Sequence, residues 1–327
     1  MKSTLRRVLA VTTLLYGATG LAATASSEVV LKALTFAPAD KLEESMAVFK
    51  TLIERVNAAG KGEIKITIMG GPEVFPVQDQ MSAVTKGIAD MVMTFTSHSK
   101  LVPEVETVGL SSLTPEQERK VGYFDLLDEA HRKINIKVIG RTATNAGIHI
   151  FSKDPIRTLG DFKGLKIRSH SGYDPFFKAL GAAPVGISIA EIYSALERGL
   201  VRAAPYPLYV YDLGLHEVTK FAMADPFWPS HTTWTYMNRQ KWDGLGPKLQ
   251  KLIMDTQIQL EKDMPSIIEP LKEKEMARLK AAGMQFVALP PGELKEFRQI
   301  SVESRFEVQA DRLAPDVLAK IKGMIAR

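Results

Sequence analysis

VVLKALTFAPADKLEESMAVFKTLIERVNAAGKGEIKITIMGG, residues 29–71, decides the fold. Residues 29–36 are an apolar run of strand length. From Glu43 the period changes, with Phe49, Leu52, Ile53 and Val56 on one helical face and Gly60 as the stop. Residues 63–69 alternate, with Ile64, Ile66 and Ile68 on one side, so a second strand is predicted before the Gly70-Gly71-Pro72 break. A short helix over 77–85 and a strand over 88–95 continue the pattern. Strand, helix, strand, helix, strand in this order implies parallel pairing with right-handed crossovers, an α/β architecture.

Working outward, 115–131 reads as one helix and 134–141 as a strand. A second unit begins near Gly147, with strands at 148–151 and 165–168 joined by a turn-rich segment, and helices at 173–180 and 189–198. A loop is expected over 204–209 and a strand over 232–237. Residues 241–279 are helix-forming but contain Pro247, Pro265 and Pro270, which allow either one kinked helix or several pieces. A strand at 284–288, a helix from about Gly292 and a last helix from Pro315 complete the chain.

The 327 residues are enough for two domains with ordinary cores. Residues 1–25 have their own character: Lys2, Arg6 and Arg7 precede a short apolar stretch that ends in Ala23-Thr24-Ala25. This is the pattern of a cleaved secretory signal peptide, with cleavage expected after Ala25 and a periplasmic destination. Three of the basic residues behind the net charge of +5 lie in that leader. The remainder is nearly balanced and lacks a basic, aromatic-studded stripe, which argues against nucleic-acid binding. The absence of cysteine removes disulfides, thiolate metal sites and a lipid anchor. With no exposed apolar seam evident, a monomer is expected.

In open α/β sheets ligands bind beyond the carboxyl ends of the strands. That rule selects Phe36 after the first strand, Glu73 and Phe75 after the second, and Ser97 after the third. In the second unit it selects Arg168, Tyr206 in the 204–209 loop, and Trp228 and Trp234 near a Pro-rich segment; His149 lies close by in the chain. Arg168 carries the clearest chemistry, because a guanidinium grips a carboxylate through two parallel hydrogen bonds. The six histidines are scattered, and no i, i+4 zinc pair, G-x-S-x-G elbow or phosphate loop is found. No catalytic set, metal site or cofactor is therefore expected. A periplasmic enzyme acting on a carboxylate and a ligand sensor for a membrane signalling receptor are two readings the chain leaves open.

Several passages resemble the solute receptors of tripartite ATP-independent periplasmic (TRAP) transporters, of the dicarboxylate-receptor type. They are LGDFKGLKIR (159–168), FKALGA (177–182), EIYSALERGLV (191–201) and GLHEVTKF (214–221), with looser matches at GPEVFP (71–76) and GIADMVM (87–93). The resemblance implies a two-domain periplasmic-binding-protein-like fold with hinge-crossing strands and a long domain-spanning helix. Domain I would comprise 26–145 plus about 234–273, and domain II 146–233 plus about 274–327. It also implies capture of a small organic anion for TRAP-type membrane permease subunits, with Arg168 on the carboxylate. Three positions depart from the pattern. Val201-Arg202-Ala203 stands where the family commonly has Val-Asp-Gly, placing a base near the expected pocket wall. Tyr206 replaces an asparagine, and Ile148 stands where sialic-acid receptors carry a second arginine. These changes point away from a sugar acid and toward a less polar ligand.

Overall fold

The computed structural model describes residues 27–38, 43–95, 98, 100–111, 113–142, 147–170, 172–188, 191–228 and 233–326, and of 43–45 the backbone alone. The leader, Ser97 and the residues around His231 lie outside them.

The first sheet is built from β1 (Val29–Thr35), β2 (Ile64–Gly70), β3 (Met91–Thr94) and β4 (Ile136–Arg141), with β10 (Trp234–Asn238) inserted late, in the order β2-β1-β3-β10-β4. β1 is parallel to β2 and β3, and β10 is antiparallel to β3 and β4. Successive side chains on a strand face opposite ways, so this sheet buries two cores. Leu31, Ala33, Met91 and Met93 face one of them, together with Phe49, Leu52, Ile53 and Val56 of α1 (Glu43–Ala59). Leu34, Val92, Val138 and Tyr236 face the other, with α2 (Val77–Thr85) and α4 (Tyr123–Arg132). The helix expected over 115–131 is two. After α3 (Pro115–Lys120) the chain passes through Gly122 at φ 79°, a left-handed turn suited to glycine, before α4 begins.

The second sheet runs β11-β9-β5-β8-β6-β7. Its strands are β5 (Ile148–Ser152), β6 (Lys166–Ser169), β7 (Ala183–Gly186), β8 (Ala203–Pro207), β9 (Phe221–Met223) and β11 (Gln285–Val287). Around it lie α5 (Asp174–Ala179), α6 (Ile192–Glu197) and α7 (Leu215–Val218). The loop expected over 204–209 is largely β8, which pairs antiparallel with β5 through Tyr206↔His149 and Pro207↔Ile148. Two prolines in AAPYP argue against a strand locally. The sheet accommodates them through burial, since Ala203 and Ala204 are fully enclosed and face the two separate cores.

The chain passes between the units twice, from β4 to β5 and from β9 to β10, and at the first-sheet ends of these passages Thr142 N–H donates to Thr233 O at 2.8 Å. After α8 (Arg239–Asp243), α9 (Gly246–Ala281) runs as one 36-residue helix straight through Pro265 and Pro270, with Pro247 in its first turn. Its first half packs Leu249, Ile253, Leu260 and Met264 on the first sheet, and its last turns pack Leu271, Met276 and Leu279 on the second. The close approach to β4 needs Gly140, where a Cβ would stand 2.4 Å from Gln257 and Glu261. A second bridge follows. α10 (Pro291–Ala310) buries Phe297 with the second sheet and Phe306 with the first, and α11 (Pro315–Ile325) completes the first unit's core through Ile321 and Ile325. The C-terminal helix thus packs on the first unit, where the sequence division had put it with the second. Twenty helical residues reach about 30 Å, enough to carry the chain back.

Candidate functional site

A cavity of about 580 Å³ opens between the two sheets. The first unit contributes Phe36, Ala37 and Pro38 beyond β1, Phe95 beyond β3 and Val77 at the start of α2. The second contributes Arg168 from β6, His170 and Tyr173 from the turn into α5, Tyr206 from β8, Tyr209, and the hydrocarbon of Ile148, Pro205 and Pro207. Phe36 and Phe95 hold their ring centroids 4.3 Å apart. Ala37 is set in place by Gly71, where a Cβ would meet the Ala37 carbonyl oxygen at 2.7 Å.

Arg168 is only 6% exposed. Its Nε donates to the Ile187 carbonyl at 2.9 Å, which fixes the plane of the guanidinium. Its terminal nitrogens have no acceptor among the described residues. Asp161, the nearby acid in the chain, accepts from the backbone N–H groups of Arg157 and Thr158. Burial lowers the Arg168 pKa from its ordinary value, opposed by Tyr173 and Tyr206, yet an arginine remains charged at any working pH. The groups beside it are neutral. His170 is lowered to about 4 by desolvation and then by the Arg168 charge, and Tyr173 is pushed up to about 12 by burial. Among the described residues lining the cavity, Arg168 is therefore the only charge at pH 7. Ser169 Oγ donates to Asp174 at 2.6 Å, pinning the turn that delivers Arg168, His170 and Tyr173 to one place.

Of the residues selected from sequence, Arg168, Phe36 and Tyr206 meet in the cavity. Ser97 lies outside the described residues, and the others do not line the cavity. Glu73 is exposed and folds back to accept the Gly71 N–H at 2.6 Å. Phe75 packs against the first unit's core. His149 is buried in β5, donating Nδ1–H to Met223 O at 2.9 Å. Trp234 is core, its ring 4.7 Å from Phe124. Trp228 is not among the lining residues; its ring lies 5.2 Å from Tyr173 and 5.1 Å from the Arg305 guanidinium. Arg202, expected near the wall, is exposed and paired with Asp154 at 2.6 Å. Sequence reasoning passed over Phe95, although the strand-end rule points to it, and Tyr173, for which no local signal exists. Among the described residues no cluster of three or more histidines or acids is arranged for a metal.

Residues 35–309 match the model of the family described as bacterial extracellular solute-binding protein, family 7. The 2,3-diketo-L-gulonate-binding periplasmic protein of Escherichia coli is 25% identical over 290 residues, which span 82% of this chain and 84% of that protein. The monocarboxylate 2-oxoacid-binding periplasmic protein of a Nostoc species is 22% identical over 281 residues, 83% of this chain and 76% of that one. Among solved structures, a TRAP periplasmic solute binding protein from Desulfovibrio salexigens with bound orotic acid superposes at a TM-score of 0.75 and 20% identity, covering 90% of this chain and 97% of the other.

Proposed function

The chain belongs to the bacterial extracellular solute-binding proteins of family 7, and on that premise we propose that it captures a small organic carboxylate on Arg168 and presents it to the membrane subunits of a TRAP-type transporter. The observation that carries the reading is a guanidinium, held by Ile187, in a cavity between two sheets whose other described lining residues carry no charge. That geometry suits a bidentate bond to a carboxylate, which gains strength as closure removes water. The family is one of receptors, and relatives named for dicarboxylate and 2-oxoacid binding fit the same use of the site. The two crossing segments, with α9 and α10, serve as the hinge between the units. No helix among the described residues is long and apolar enough to cross a membrane. A leader cleaved after Ala25 and a monomeric receptor complete the proposal; N-terminal sequencing of the exported protein should begin at Ser26.

The direct test is mass spectrometry of small molecules released on denaturing the purified protein. An organic acid at near-stoichiometric amount is expected. A released cation or neutral sugar, with no acid able to displace it, would overturn the carboxylate reading.

A further inference from the structure

The cavity narrows the ligand class, on the premise that Arg168 holds a carboxylate there. A second carboxylate would need a second cation, because a buried, unpaired anion is strongly disfavoured. None lines the cavity among the described residues, and Arg202 is turned outward to Asp154. His170 does not substitute, since it stays neutral beside Arg168. A sugar acid would need a partner for each hydroxyl, and the described wall offers few beyond the phenols of Tyr173, Tyr206 and Tyr209 and the His170 imidazole. The rest is ring and hydrocarbon.

We propose that the ligand is a monocarboxylate with an aromatic body, its carboxylate on Arg168 and its ring lodged between Phe36 and Phe95 of the first unit and Tyr173 and Tyr206 of the second. Both units then touch the ring while one of them holds the charge, so closure buries the apolar part and desolvates the ion pair together. Edge-to-face and offset contacts with four flanking rings favour an aromatic over an aliphatic body of equal area. The volume lies within the roughly 300–1,000 Å³ usual for small-molecule sites.

Calorimetry on protein freed of co-purified ligand decides between the classes. Phenylacetate, cinnamate and indole-3-acetate are compared with succinate, malate and gluconate, with 4-methylpentanoate, and with neutral phenylacetamide. At least one aromatic acid should bind tenfold or more tighter than every dicarboxylate and sugar acid, and phenylacetamide should bind at least thirtyfold more weakly than phenylacetate. Phe95→Ser should weaken the preferred aromatic acid by tenfold or more, with far-ultraviolet circular dichroism unchanged. Succinate, malate or gluconate binding as tightly as the aromatic acids, and losing it in Arg168→Ala, would overturn the aromatic class and leave the receptor reading standing. A preference for 4-methylpentanoate would overturn the ring. No binding by any acid, with none released on denaturation, would bring down both.

Discussion

In the proposed function, Arg168 is the residue on which binding turns. Once the cleft closes, truncating it leaves the ligand carboxylate desolvated and without its partner, a loss of about 2–5 kcal/mol in such settings. Arg168→Ala should thus weaken the bound acid by roughly 30- to several thousand-fold, and Arg168→Lys should recover only part, because an ammonium lacks the planar two-point geometry. The free protein should lose no more than about 1 kcal/mol, the worth of the bond to Ile187 less the relief of burying a charge. Calorimetry and urea unfolding on the same samples check both, and binding within threefold of wild type would place the carboxylate elsewhere. A second residue-level feature lies outside the site. His98 and His131 are buried with their Nε2 atoms 2.8 Å apart, and His131 Nδ1 lies 2.7 Å from Leu127 O. A carbonyl only accepts, so His131 donates from Nδ1 and accepts at Nε2 from His98. His131 is therefore neutral, and His98, whose Nδ1 has no partner among the described residues, is kept neutral by burial. Burial, then the charge of its partner, lowers His98 to about 3, and burial lowers His131 to about 4. In the unfolded chain both titrate near 6.5. The unfolded state thus binds more protons below that pH, and stability, full above 6.5, falls as the pH drops toward 4. The urea midpoint should fall between pH 7.5 and 5.0 by the equivalent of roughly 2–4 kcal/mol for the pair. In His98→Gln/His131→Gln that drop should shrink by at least half, and an equal drop would assign the pH dependence to other groups.

Helix α9 shows how one element joins two units. At its first-unit end, Glu261 accepts from Arg119 at 2.8 Å and from the Arg141 N–H at 2.9 Å. At its second-unit end, Glu275 accepts the N–H groups of Val210 at 2.9 Å and Tyr211 at 2.7 Å. Pro265 and Pro270 fall between these two docks. Each removes an intrahelical hydrogen bond, so the helix is weakest where it spans the units and best anchored where it touches them. Glu275→Ala would strand two amide donors in the interior and should cost roughly 2–5 kcal/mol. Glu269→Ala, on the same helix but in an exposed pair with Lys272, should change stability by less than about 0.5 kcal/mol. Urea unfolding of the two variants tests whether the docks, rather than the surface pairs, hold α9. The prolines were legible in the sequence, but their consequence was not. Whether a proline ends a helix or bends it depends on the surfaces waiting for the residues beyond it, and here Met276 and Leu279 find the second sheet's core.

For the whole molecule, the cavity lies between units joined by two chain passages and two bridging helices, so in the proposed receptor ligand and hinge act on the same gap. An acid that contacts both walls favours the closed form by its difference in affinity for the two states. At about 100 times its dissociation constant it adds ~2.7 kcal/mol to stability. A melting temperature raised by several degrees and a smaller radius of gyration in solution scattering should appear together. A thermal shift at saturation with an unchanged radius would mean that the ligand binds without closing the units.

Periodicity in the sequence determined the α/β class, nearly every helix and the strands of the first sheet, because runs such as EIKITIM and VVLKALTF alternate or stay apolar whatever surrounds them. It singled out Arg168 as the candidate anchor, because a cation near the end of a strand is visible from the strand itself, and the structure places that side chain on the cavity wall. Tertiary structure decided β7, β8 and β9, whose short segments APVG, AAPYP and FAM carry no period and become strands only where neighbours offer an edge and a core. It also decided which aromatic residues face the cavity. Trp234 and Phe95 stand at paired ends of β10 and β3 in one sheet, yet Trp234 points into the core and Phe95 into the cavity. Alternation along a strand tells two faces apart, but which face meets another unit is known only once both units are folded.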